Sequence, residues 1–123
     1  MSQDIAYLVG YASEVFKVLS DPTRLLIFIY LARKGEATIK DMAEALGRPE
    51  NLISYHINLV KRLGIVKFRK SGKRVYYKLA DENLKNIIEL SLNLADRGDR
   101  SVKPRSLRFN LYRVLPKLGD PRS

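Results

Sequence analysis

At Gly64 the spacing of apolar residues changes from helical to alternating, and the change falls inside a stretch, Asn51 to Ala80, with eight Lys or Arg residues and no Asp or Glu. Upstream, Leu52, Ile53, Ile57, Leu59, Val60 and Leu63 fit one side of a helix from about Glu50 to Leu63. Downstream, Ile65-Val66-Lys67-Phe68-Arg69 and Val75-Tyr76-Tyr77-Lys78-Leu79 alternate in period two about Ser71-Gly72, which is the pattern of a hairpin. The alternation turns Val66 and Phe68 inward and crowds Lys67, Arg69, Lys70, Lys73, Arg74 and Lys78 onto the outer face and tip. Such a cluster repels itself unless a polyanion offsets it. Protection of a sheet edge explains one or two lysines on a strand, not six basic residues in twelve positions.

The rest of the chain reads as helices. Leu8, Tyr11, Ala12, Val15, Val18 and Leu19 recur at helical intervals from Ile5 to Leu19. Ser20-Asp21-Pro22 then stops one helix and starts another, with Asp21 as N-cap and Pro22 at the first position, where its missing N–H costs nothing. That next helix, to about Lys34, is apolar on nearly every side from Leu25 to Leu31 and belongs at the centre of a core. Gly35 closes it, and Thr38 with Asp41 opens a short helix ending at Leu46, with Ile39, Met42, Ala43 and Leu46 as its buried stripe. Gly47, Arg48 and Pro49 form a tight turn into the Glu50 helix, which makes a helix-turn-helix. A last helix, Asp81 to about Ala95, carries Leu84, Ile87, Ile88, Leu90, Leu92 and Leu94 around more than one face, a surplus that points to a partner.

On the Glu50 helix, Asn51, Ser54, Tyr55, Asn58, Lys61 and Arg62 fall outside the apolar set. Asn can bridge the N6 and N7 of adenine, Ser and Tyr reach bases or backbone oxygens, and Lys and Arg meet phosphate. A solvated helix face is the plain alternative for these residues taken alone. Whole-chain charge sides with the first reading: 123 residues predict one domain, and a formal charge of +10 with a pI near 10.0 attracts nucleic acid, or less often an anionic membrane surface. No apolar run approaches the ~20 residues of a membrane span, and the N-terminus, with Asp4 and no basic segment, is unlike a secretory signal. With no cysteine there are no disulfides, thiolate metal sites or thiol switches, so the expected location is the cytoplasm, in association with the nucleoid. No glycine-rich phosphate loop, paired acids or nucleophile-base set stands out, so neither an enzyme nor a cofactor is expected.

Four segments taken in order carry a family resemblance: Lys17-Val18-Leu19-Ser20-Asp21-Pro22-Thr23-Arg24-Leu25, Ile53-Ser54-Tyr55-His56-Ile57, Leu63-Gly64-Ile65-Val66, and Gly72-Lys73-Arg74-Val75-Tyr76-Tyr77-Lys78-Leu79. From roughly Phe16 to Leu79 the chain resembles the ArsR/SmtB winged-helix transcriptional regulators. The resemblance implies a homodimer, paired through the first and last helices, that binds operator DNA in two half-sites and usually represses. It also implies that Pro49 to Leu63 holds the recognition helix. Family members that sense metals use cysteines on the helix before the recognition helix, or acidic and histidine ligands on the last helix. Neither set is present: Thr38 to Leu46 has no cysteine, and the last helix has Asp81, Glu82 and Glu89 but no histidine. His56, the only histidine, stands where the family commonly has one in the recognition helix, and it is read as partly packed and donating to a phosphate. One histidine without a second nitrogen or sulfur donor makes a poor transition-metal site.

The expectation is a mainly α fold with a β-hairpin wing, a winged helix-turn-helix that is dimeric through its first and last helices. Residues 1–95 form the DNA-binding and dimerisation domain. Residues 96–123 form a basic extension with eight Lys or Arg against three Asp, in which Leu107, Phe109 and Leu111 suit a strand while Leu107, Leu111, Val114 and Leu115 suit a short helix. The expected function is sequence-specific binding of double-stranded DNA, with the recognition helix in the major groove and the wing on the backbone or minor groove. Its residues are Arg48, Asn51, Ser54, Tyr55, His56, Asn58, Lys61, Arg62, Lys67, Arg69, Lys70, Lys73 and Arg74. An architectural protein that coats DNA without sequence preference is the alternative. A winged helix used for protein interaction is disfavoured by the acid-free hairpin.

Overall fold

Seven consecutive residues, Leu26 to Ala32, are all buried, so the helix that holds them has other elements on every side. In a computed structural model, which describes residues 2–99 and 101, this is α2 (Pro22–Lys34). It follows α1 (Ser2–Leu19) and precedes α3 (Ile39–Leu46), α4 (Glu50–Lys61), the strands β1 (Val66–Ser71) and β2 (Arg74–Leu79), and α5 (Glu82–Arg97). The core is built on Ile27, Phe28 and Leu31 of α2, Met42 and Leu46 of α3, Ile53, Ile57 and Val60 of α4, and Ile88 of α5. Burying each such side chain contributes about 1.5–3 kcal/mol. The expected choice between strand and helix at Leu107 to Leu115 lies outside the described residues.

Local signals place the helix ends where the sequence suggests. The Asp21 carboxylate accepts from the backbone N–H of Arg24 at 3.0 Å. Thr38 and Asp41 form a reciprocal capping box at 3.0 and 3.1 Å. Gly47 ends α3 in the left-handed region at φ 62°, which turns the chain straight into α4. Elsewhere the ends move by a few residues. α1 begins at Ser2 instead of Ile5, α5 runs to Arg97 instead of Ala95, and α4 ends at Lys61, with a turn through Gly64 completing the passage to the hairpin.

β1 and β2 pair antiparallel with Arg69 opposite Tyr76 and Ser71 opposite Arg74, leaving Gly72-Lys73 as a two-residue connection. Gly72 takes φ 62°, the sign that such a tight turn requires at its first central position. β2 has a second neighbour: Ala37 and Tyr77 exchange backbone hydrogen bonds of 3.0 and 2.8 Å, so the loop after α2 acts as a third, one-residue strand. One expectation for the hairpin is corrected. Val66 is buried, but Phe68 is 50% exposed. The hairpin leaves the body after its first residue, so the inward phase of β1 has core beneath it only at Val66.

α1 and α5 keep apolar surface that the body does not cover. Leu84 and Ile88 of α5 are buried, while Ile87, Leu90 and Leu94 form a second, exposed stripe. On α1, Ile5, Leu8, Val9 and Phe16 are exposed. α1 is tied to the body where the Tyr11 hydroxyl donates to the Leu63 carbonyl, just past α4. α5 is tied by Arg33 of α2 to Glu89 at 3.2 Å.

Candidate nucleic-acid interface

α4 buries Ile53, His56, Ile57 and Val60, the i, i+3, i+4, i+7 positions of one face. The opposite face therefore belongs to Asn51, Ser54, Tyr55, Asn58 and Arg62, which follow the same spacing two residues out of phase. Asn51, Tyr55, Asn58 and Arg62 are exposed, Tyr55 by 59%, and Ser54 is half-buried. This stripe carries two amides, two hydroxyls and a guanidinium and no carboxylate, so it can donate to and accept from base edges without repelling phosphate. Arg48 stands at the turn before α4, where its Nη1 donates to the carbonyls of Leu46 and Gly47 at 3.2 and 3.3 Å.

His56 requires a correction. It is only 7% exposed, on the core side of α4 among Arg24, Ile27, Phe28, Ile57 and Val60, so it faces α2 and not the surface where a phosphate would lie. Its Nδ1 has no hydrogen-bond partner among the described residues. Burial lowers its pKa below the ordinary 6.5, the Asp21 carboxylate works against that shift and the Arg24 guanidinium adds to it. The ring is thus a neutral core residue that packs edge-on beneath Tyr55, with centroids 5.3 Å apart.

Beside α4, the wing holds a second set of cations. Lys67, Lys70, Lys73, Arg74 and Lys78 are exposed, and Lys67 stands directly opposite Lys78 on the ladder, a like-charge pairing that is unfavourable without a counter-charge. Lys61 links the two elements, since its Nζ lies 4.6 Å from the centre of the Phe68 ring. The exposed phenylalanine thus forms a shelf between α4 and the wing. The neighbouring Tyr76 hydroxyl raises the pKa of Arg74 above its ordinary value.

Arg69 has a carboxylate partner within the chain. Its Nε and Nη2 donate to both carboxylate oxygens of Glu36, at 3.0 and 2.5 Å, and its guanidinium lies 4.5 Å from the centre of the Tyr76 ring. The hydrogen bonds from Arg69, then the positive charges of Arg69 and Lys78, hold the Glu36 carboxyl below its usual pKa. Sequence reading missed Glu36 because nothing near it in the chain marks it; only the Ala37–Tyr77 bridge carries it to the sheet. His56, by contrast, shows its place in the spacing, three residues after Ile53 and four before Val60.

Among the described residues no group of three or more His, Cys, Asp or Glu is placed to hold a metal ion, and no helix is long and apolar enough to cross a membrane.

Residues 19–67 match a helix-turn-helix domain family. The chain is 42% identical, over 79 residues, to an uncharacterized HTH-type transcriptional regulator of Methanocaldococcus jannaschii, covering 64% of this chain and 89% of the relative. It is 33% identical over 90 residues to the transcriptional repressor SdpR of Bacillus subtilis, covering 73% of this chain and 99% of that protein. Among solved structures it is similar to a homodimeric winged helix-turn-helix DNA-binding domain from Mycobacterium bovis, described as a possible ArsR-family transcriptional regulator. The TM-score is 0.71 and the identity 31%, over 78% of this chain and 88% of that one.

Proposed function

Because this chain belongs to the ArsR/SmtB family of winged helix-turn-helix transcriptional regulators, we propose that two copies pair through α1 and α5, bind a two-fold symmetric operator and repress transcription from it. α4 enters the major groove, where Asn51, Ser54, Tyr55 and Asn58 read base edges, while Arg48, Lys61 and Arg62 meet the flanking phosphates. Lys67, Lys70, Lys73 and Arg74 of the wing bind the backbone beside the adjoining minor groove. Residues 1–95 serve as the DNA-binding and dimerisation domain, and residues 96–123 add positive charge to it. The protein acts in the cytoplasm, at the chromosome.

One observation carries this reading: the exposed stripe of α4 and the exposed face of the wing are contiguous through Lys61 and Phe68, and the Glu36 carboxylate that lies against the wing is paired with Arg69. Selecting bound duplexes from a random pool at physiological salt tests it. A two-fold symmetric motif is expected, whereas a flat sequence profile would replace the regulator with a coating protein. On the selected duplex, a dimer that neutralises ~6 to 10 phosphates should lose roughly a thousandfold or more in affinity between about 50 and 200 mM salt.

A further inference from the structure

An acid at a DNA-binding surface ordinarily opposes binding, yet Glu36 lies against the cationic face of the wing. The Ala37–Tyr77 bridge sets Glu36 at the edge of β2, beside Lys78. Arg69 stands on β1, the far strand of the hairpin, and is the register partner of Tyr76 on β2. To reach Glu36 its guanidinium crosses the Tyr76 ring, so the contact spans all three strands and ties the outer strand to the loop that leaves α2. The rest of the hairpin has less to fix it, since β1 is exposed from Lys67 to Ser71. Both carboxylate oxygens and two guanidinium nitrogens are used, and the guanidinium plane is used as well. A lysine supplies neither the fork nor the plane.

We propose that Glu36, Arg69 and Tyr76 form a brace that sets the angle of the wing, with Arg69 a positioning residue and not a phosphate contact. An exposed ion pair adds little to folding stability. Its role here is to narrow the range of wing poses before DNA arrives, so that Lys70, Lys73 and Arg74 meet the backbone without first being ordered. The inference rests on the DNA-binding reading above.

Charge alone and bracing make opposite forecasts for Glu36→Gln. The substitution removes one negative charge, so simple attraction tightens binding to every duplex. If the pair is a brace, affinity for the selected duplex falls about tenfold while affinity for a scrambled duplex holds or rises, and the melting temperature stays put. Arg69→Lys, which keeps the charge, weakens selected-duplex binding similarly. The exchanged pair E36R/R69E, with net charge unchanged, recovers most of what R69E alone loses. Tighter binding of both duplexes by E36Q, or an exchanged pair no better than R69E, overturns the proposal, because Arg69 then meets phosphate itself. A readout without DNA keeps the two ideas separate. The chain has no cysteine, so spin labels at Lys73→Cys on the wing tip and Lys40→Cys on α3 are specific, and E36Q must broaden the distance distribution between them. An unchanged distribution removes the brace whatever the DNA result. If wild-type protein binds no duplex, or Arg74→Ala costs nothing, the DNA-binding reading fails instead.

Discussion

Two neighbouring residues on α4, Tyr55 and His56, occupy opposite environments, and the pH dependence of folding should follow from the buried one. A histidine whose folded pKa lies below its unfolded 6.5 leaves the folded state short of a proton that the unfolded chain takes up. Stability is then complete above that value and declines as the pH falls through it, levelling off below the folded pKa. In urea titrations, the stability lost by wild type between about pH 7 and pH 5 should exceed the loss in His56→Leu, a change of similar volume that titrates nothing. A gap between the two proteins that is the same at both pH values would contradict the buried, neutral ring. On the exposed side of the same helix, Asn58→Ala should relax base preference by about 1–3 kcal/mol, while Arg74→Ala weakens all duplexes alike. Competition binding against single-base variants of the selected duplex distinguishes them, and uniform weakening by both would argue for coating.

At the level of elements, the hairpin depends on one backbone conformation. Gly72 has open space around the position of a Cβ, so a side chain there meets no atom and its cost is conformational only. Gly72→Val should therefore lower folding stability by about 1–2 kcal/mol, the penalty of a left-handed residue with a Cβ. Calorimetry checks the size, and no change at all would show that the turn relaxes to another type. The wing and α4 also depend on each other through Lys61 and Phe68, whose cation–π contact joins two elements that the sequence presents as separate. Helix caps were legible in advance because Asp21, Thr38 and Asp41 bond within three residues of themselves. Phe68 was not, because alternation states which side of a strand a residue takes and is silent on whether a core extends beneath it.

For the whole molecule, the uncovered stripe of Ile87, Leu90 and Leu94 on α5, like the exposed apolar residues of α1, exceeds what one subunit needs. Leu90 is 65% exposed and Leu94 76%, although both lie on a helix whose other stripe is buried. Leu90→Asp with Leu94→Asp places charge where a second copy would pack, and leaves Leu84 and Ile88 in the core. Sedimentation should show the double variant as a monomer that still melts cooperatively, with affinity for the symmetric duplex reduced by at least about a hundredfold, since the second half-site no longer adds to the first. A double variant that stays dimeric would move the interface away from α5.

Sequence by itself determined the helices, their caps, the hairpin and the polar stripe of α4, because each is written in spacings of a few residues that depend on local backbone geometry. It also determined the cationic character of the surface, since charge is additive along a chain. Tertiary structure alone decided which charged and polar groups find partners far along the chain. Glu36 and Arg69 are 33 residues apart and meet only because the loop after α2 pairs with β2. Tyr11 and Leu63, 52 residues apart, meet only because α1 folds back across the end of α4. Contacts of that kind are set by where the core brings the backbone, which no local pattern records.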